Sequence, residues 1–275
     1  MRRFARPFGH GLVAAGLMFG AYLFLVVGPS VQTVGFDAYA YWTVDLADPY
    51  AAPVGAIGSF NYSPPVALVS DVFSLMEWWA FWFLWTALLI ATVIWMGGSP
   101  GWIVAAFAVP FVTLELYHGN IHILLAAAIV LGFRHPWTWA FVLLTKPTAG
   151  VGLLWFVVRG EWRSLWIALG TTAALCCVSL VVVPSLWLDW IDLLVRSGGA
   201  TPLSPHLAVP LWVRLPLAAL LVVWGARTDR RWTVVVASML ALPVLWFASA
   251  AMLIGIIPEL RLRAPRSPRA QALPA

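Results

Sequence analysis

Charge is scarce in this sequence. Ten per cent of its 275 residues are Asp, Glu, Lys or Arg, against roughly 25% in a soluble domain. With 62% hydrophobic residues and a mean hydropathy of +0.90, that scarcity excludes a soluble enzyme on a single anchor. Lysine is scarcer still. Lys146 is the only one, and the other basic residues are arginines. The net charge of +5 therefore rests on arginines at the ends of apolar runs. That pattern suits topology signals and anionic lipid headgroups, and no nucleic-acid partner is expected. The only two cysteines, Cys176 and Cys177, are adjacent inside an apolar run. This excludes a disulfide framework and a Cys-x-x-Cys site. The sequence also lacks a Walker A pattern, a Gly-x-Gly-x-x-Gly fingerprint, an internal repeat and a recognisable Ser/His/Asp constellation.

What is present is a series of apolar runs around one polar, aromatic stretch, residues 36–65, which holds three of the eleven acidic residues. Residues 9–29 read as a retained first span, and Arg2, Arg3 and Arg6 place its start in the cytoplasm. The loop 30–76 then lies outside, with 63–76 as an amphipathic helix opened by Pro64 and Pro65. Residues 78–96 return inward, with Trp78, Trp79, Trp82 and Trp85 as anchors near the outer end. A tight turn at 97–101 leads to an outward segment at 102–116 and an inward one at 121–133.

Residues 137–158 pose a topological problem. A single crossing would put Arg134 and the pair Arg159 and Arg163 on opposite sides. It would also bury Lys146 near the bilayer centre, at a cost of roughly 2.5–3.5 kcal/mol. Two half-helices, 137–146 and 147–158, broken at Pro147, avoid both penalties. Residues 164–183 go out again, and 184–210 form an outer loop with Asp189, Asp192, Arg196 and His206. Residues 211–226 return, and 232–257 repeat the problem, with arginines at both ends and Pro243 between. The expected fold is an all-α, polytopic transmembrane helix bundle over 1–258 with two broken hairpins. Both termini are cytoplasmic, and 259–275 form a disordered cytoplasmic tail.

Several residues are poised for chemistry. Asp37 follows the first span closely, and desolvation there raises a carboxylate towards a useful base. The alternative is an N-cap of a short juxtamembrane helix. Tyr41 shares its side at helical spacing, while Asp45 and Asp48 read as turn residues. Lys146 is suited to a phosphate or carboxylate; the alternatives are snorkelling or an ion pair with Glu115. Arg214 is a second cation or a snorkelling side chain. Glu115, His118 and His122 have a metal-ligand spacing on an unbroken helix, but no partner cluster exists, so no metal is expected. A polar patch with His118 and Asn120 is the alternative.

The order of these features resembles the GT-C membrane glycosyltransferases, and within them glycosyltransferase family 87. The resemblance rests on Phe36-Asp37-x-x-x-Tyr41 after a first helix and Tyr62-Ser-Pro-Pro65 opening a juxtamembrane helix. Gly119-Asn120 before an apolar helix, Thr145-Lys146-Pro147 in a broken hairpin, Arg159-Gly-Glu-Trp-Arg163 and Ala241-Leu-Pro-Val-Leu-Trp246 add to it. The chain is shorter than typical members, and Phe247-Ala-Ser249 stands where some carry histidines. The resemblance implies inverting transfer of a mannosyl or arabinofuranosyl unit on the outer face of the cell membrane. The donor would be a polyprenyl-phosphate sugar and the acceptor a lipid or glycan. Asp37 would be the general base. Lys146, with Arg214 or His118, would face the leaving phosphate, and Tyr41, Tyr62 and Asn120 would line the site. This scheme requires no metal, nucleotide or other cofactor. A transporter or lipid scramblase, and a non-catalytic assembly partner, are the competing readings. No feature of the sequence sets an oligomeric state.

Overall fold

The computed structural model describes residues 2–197 and 209–263, with side chains over 11–197 and 209–261. His206, the tail from 264 and the side chains of Arg2, Arg3 and Arg6 lie outside the described residues. Among the described residues every regular element is helical. The chain runs through α1 (Arg2–Tyr22), a π-helical turn at Leu23–Val27, α2 (Gly28–Val31), α3 (Phe36–Trp42) and α4 (Pro64–Asp71). It continues through α5 (Trp78–Gly97), α6 (Pro100–Phe107), α7 (Pro110–His118), α8 (His122–Gly132), α9 (Trp139–Thr145) and α10 (Leu154–Arg159). The last described elements include α11 (Trp162–Val182), α12 (Pro184–Ser197), α13 (Leu211–Arg227), α14 (Trp232–Leu240) and α15 (Ile257–Arg263). Three helical runs are long and apolar enough to cross a bilayer: Gly11–Val31, Trp78–Gly97 and Trp162–Val182. The pair α6 and α7 makes a fourth if counted as one span.

The short α8 is central because small and branched residues let its neighbours approach from all sides. Ile123, Leu125, Ala126 and Ile129 are fully buried, and α5, α7, α9, α14 and the 3-10 run Phe247–Ile256 pack around it. The outer helices behave oppositely. Trp166 of α11 is 66% exposed and Val181 is 83% exposed, as expected where lipid replaces water.

Both puzzling runs fold as hairpins. In 136–159 the chain breaks at Lys146, whose φ of −139° and ψ of 77° are not helical. Pro147, lacking an N–H, opens the 3-10 helix Pro147–Leu153. The halves then run antiparallel: Gly150 lies against Leu143, Gly152 against Trp139, and Trp139 meets the Phe156 ring at 6.3 Å. In the second hairpin α14 returns through the 3-10 helix Phe247–Ile256, with Val235 against Gly255 and the Trp232 N–H donating to Glu259. The Ser238 hydroxyl donates to Ala149 O at 2.8 Å, so both apices point to one end.

The feet of both hairpins share the other end. There Arg159 bonds Asp229 at 3.1 Å, Arg231 lies over Phe133, and Arg261 donates to Met96 O beside the 97–101 turn.

Three expectations are corrected. Residues 102–116 are not one helix. Pro110 removes an N–H and holds Val109 extended, so α6 and α7 meet at 70°. Residues 184–197 are helix, not loop, because Pro184 sits at a first-turn position ahead of an amphipathic sequence. The tail expected from 259 begins with α15, which carries the chain in helix to Arg263.

Candidate active site

The site is built where α3 meets the corner between α7 and α8. Gly35, at φ +76°, turns the chain into α3 and donates its N–H to Tyr117 O at 2.8 Å. Gly119, at φ +71°, ends α7, and a Cβ there would lie 2.7 Å from Ala38. Only glycine permits this contact between α3 and the corner. Gly35 occupies the N-cap position, so Asp37 sits inside the first turn and makes no cap bond.

Asp37 is half-buried. Burial pushes its carboxyl above the ordinary carboxylate range, while His118 and a hydrogen bond from Asn120 pull the other way. Asn120 is oriented by its own chain: its Oδ1 accepts the Ile121 N–H at 2.7 Å and the Tyr41 hydroxyl at 3.5 Å. That leaves its NH2 for Asp37. Tyr41, 3% exposed, also meets the Tyr62 hydroxyl at 3.0 Å. Its phenol is held well above its ordinary value by burial and then by Tyr62 and Asp37, so it stays a neutral donor.

Tyr62 carries the chain of contacts to the first hairpin. Lys146 Nζ stands 4.8 Å from the Tyr62 ring centroid, within cation–π range. Ser63, next in sequence, donates to Leu144 O at 2.6 Å and pins the apex to the loop. Lys146 is half-buried, and no carboxylate pairs with it among the described residues. Asp37, Tyr41, Tyr62, Asn120, His118 and Lys146 therefore come together from four separate stretches of chain.

Arg214 is not among them. It is 5% exposed and holds the apex of the second hairpin. Its Nε donates to Val209 O at 2.7 Å, and its terminal nitrogens donate to Leu240 O, Leu242 O and Pro243 O at 2.5, 2.9 and 3.1 Å. Glu115 and His118 close α7 while His122 opens α8, so the three do not lie along one unbroken helix. Glu115 instead accepts the His122 N–H at 2.6 Å and meets His122 Nδ1 at 3.0 Å. Ser249 Oγ meets His122 Nε2 at 3.2 Å. Sequence reasoning missed this Glu115–His122–Ser249 cluster because Ser249 arrives 127 residues later, from the second hairpin. All three members are almost wholly buried, so the cluster ties hairpin to corner. Glu115 is thereby unavailable as a partner for Lys146. Among the described residues no three His, Cys, Asp or Glu side chains converge as a metal-holding group.

An apolar cavity of about 160 Å³ lies between α7 and the second hairpin, lined by Phe111, Met239, Leu245, Trp246, Phe247 and Ala250. It offers no polar group to a reacting atom.

No curated protein and no solved structure matches the chain. The sequence pattern of glycosyltransferase family 87 does, over residues 60–204. That is more than half of the chain, and it includes Tyr62, His118, Asn120 and Lys146, with α3 and Asp37 preceding it. A multi-pass helical chain with this match belongs to glycosyltransferase family 87.

Proposed function

We propose that the protein transfers a sugar, mannosyl or arabinofuranosyl, from a polyprenyl-phosphate donor to a hydroxyl of a lipid or glycan acceptor. Family membership implies the glycosyl transfer; the assignment of roles rests on the site. The observation that carries it is the convergence of a half-buried carboxyl and an unpaired lysine on one tyrosine-lined cluster.

In this scheme Asp37 takes the proton of the acceptor hydroxyl as its oxygen bonds to C1 of the sugar. The C1–O bond to phosphate breaks, and the electron pair leaves on the polyprenyl phosphate. Inversion at C1 follows from attack opposite the leaving group. A phosphate needs a cation more than an acid, and Lys146 supplies one outside bulk water. Asp37 also faces the positive charge that grows on the sugar. The neutral Tyr41 phenol and Asn120 keep Asp37 oriented. Burial gives the base its strength at neutral pH, as a carboxylate of ordinary pKa is a weak proton acceptor. The cluster lies at the end opposite the hairpin feet, where Arg159, Arg231 and Arg261 gather, which supports an extracytoplasmic site by the positive-inside rule.

Asp37→Asn tests the reading. Purified protein given polyprenyl-phosphate sugars and lipid acceptors should lose transfer by roughly a hundredfold or more, the range of general-base catalysis. Stability moves the other way. A carboxyl whose folded pKa is raised contributes stability below its unfolded pKa and loses it as pH rises through the folded one. The neutral amide should therefore keep or raise the unfolding temperature at pH 7. Equal activity in both proteins would sink the base assignment, and no transfer with any donor would favour a non-catalytic member.

A further inference from the structure

The helix α12, expected as loop, has three faces. Successive residues turn by about 100°. Leu186, Trp190 and Leu193 therefore share one side, Asp189, Asp192 and Arg196 the next, and Leu188, Ile191 and Val195 the third. The first side packs on the bundle. Leu186 and Leu193 are buried, α4 and α11 lie against the helix, and Trp190 Nε1 donates to Asn61 O at 3.4 Å. The second side is polar and exposed, with Arg196 paired to Asp192 at 2.8 Å. The third is apolar but uncovered: Leu188 is 72% exposed, Ile191 51% and Val195 74%.

Water suits the second side and not the third. Contiguous exposed apolar surface marks a contact with something else, and two observations identify it. Val181 and Val182, exposed at the end of the spanning helix α11, lead through Val183 directly into α12. The third side thus continues the lipid-facing surface of a membrane span. Its charged stripe lies directly beside it, as on a helix lying half in hydrocarbon and half among headgroups.

We propose that α12 is an interfacial helix whose partner is the lipid monolayer at the end of the bundle that carries Lys146. Leu188, Ile191 and Val195 sit in the acyl region, and Asp189, Asp192 and Arg196 face the headgroups and water. Trp190 then couples membrane depth to the site, because Asn61 precedes Tyr62, the ring beneath Lys146. The rim of the site is set at headgroup level, where a lipid-borne phosphate lies. The placement of α12 stands on its three faces alone; only this last consequence rests on the proposed donor.

Nitroxide labels test the placement in vesicles of phosphatidylcholine and phosphatidylglycerol. Cys176 and Cys177 are replaced by alanine. Single labels are introduced at Leu188→Cys, Ile191→Cys and Val195→Cys, and in parallel at Asp189→Cys, Asp192→Cys and Arg196→Cys. Each label's access to dissolved oxygen, which concentrates in lipid, is compared with its access to a water-soluble nickel chelate. The first set should favour oxygen several-fold, and the second set should favour the chelate. Chelate access at all six positions would overturn the proposal by placing the helix off the membrane. Shielding of the first set from both reagents would overturn it in favour of a protein cover such as a second copy.

Discussion

The two hairpins use the same break differently. Each folds an apolar run back on itself at a proline-containing apex, and each apex has a basic residue beside it. At the second apex, Arg214 comes from the neighbouring α13 and donates to four carbonyls. A planar guanidinium fits a fan of backbone oxygens, and its charge is absorbed by the fold. At the first apex the base is Lys146, and the apex is pinned without it: Ser63 bonds Leu144 O, and the Lys146 N–H bonds Val142 O. The ammonium is left over a tyrosine ring, with no carboxylate paired to it among the described residues. A cation that the backbone does not need is consistent with the phosphate role proposed for it above.

Breaking the second apex should have the larger effect. Arg214→Met unpairs the carbonyls of Leu240, Leu242 and Pro243, the second buried and the others part-buried, and at ~1–3 kcal/mol for a buried unpaired group the loss should be roughly 2 kcal/mol or more. Thermal unfolding in detergent should show it, with activity falling in parallel. Arg214→Lys should rescue little, because three donors on one nitrogen do not span those oxygens. An unfolding temperature unchanged in both variants would remove the clamp.

The first apex should respond in the opposite sense. Lys146→Gln should leave the unfolding temperature nearly unchanged. The loss of one charge-assisted contact, roughly 1.5–3 kcal/mol, should raise the donor KM by about ten- to a hundred-fold. Lys146→Arg, which keeps the charge, should recover most of that. Unaltered donor affinity in Lys146→Gln would take the phosphate role from this residue. The pair of exchanges makes the contrast sharp, since lysine and arginine should substitute at 146 and not at 214.

The hairpins were legible because charge bookkeeping is global: arginines at both ends of a run of ~20 apolar residues leave few foldings. The assembly of Asp37, Tyr41, Asn120 and Lys146 was legible for a similar reason, since polar residues in an apolar chain have few places to go. The sequence offers Arg214 as a candidate phosphate ligand because its spacing does not display carbonyl oxygens. They become acceptors only when α14 ends at Leu240. The bend at Pro110 was visible in principle, as a proline inside a 15-residue run. Hydropathy hides it, because the run is apolar throughout and a missing N–H does not register on that scale. α12 was masked by its charges, which lower its hydropathy without lowering its amphipathicity.

The smallest effect is also the most selective. His118 stands half-buried at the end of α7, its ring edge-on to Phe36 at 6.5 Å, and is the strongest charge opposing the rise in Asp37's pKa. Burial raises the carboxyl, so transfer should fail on the acid side at a higher pH than an ordinary carboxylate would impose. His118→Gln removes the opposing charge and leaves the burial. Asp37 should then hold its proton to still higher pH, and the acidic limb of kcat/KM should move upward. Well above that limb, Asp37 is ionised in both proteins, and the rates should converge to within a few-fold. A direct hydrogen bond from His118 to substrate predicts something else: a rate depressed equally at every pH. The profile, not the rate at one pH, separates the two. A limb that stays in place or moves to lower pH would remove His118 from the control of Asp37.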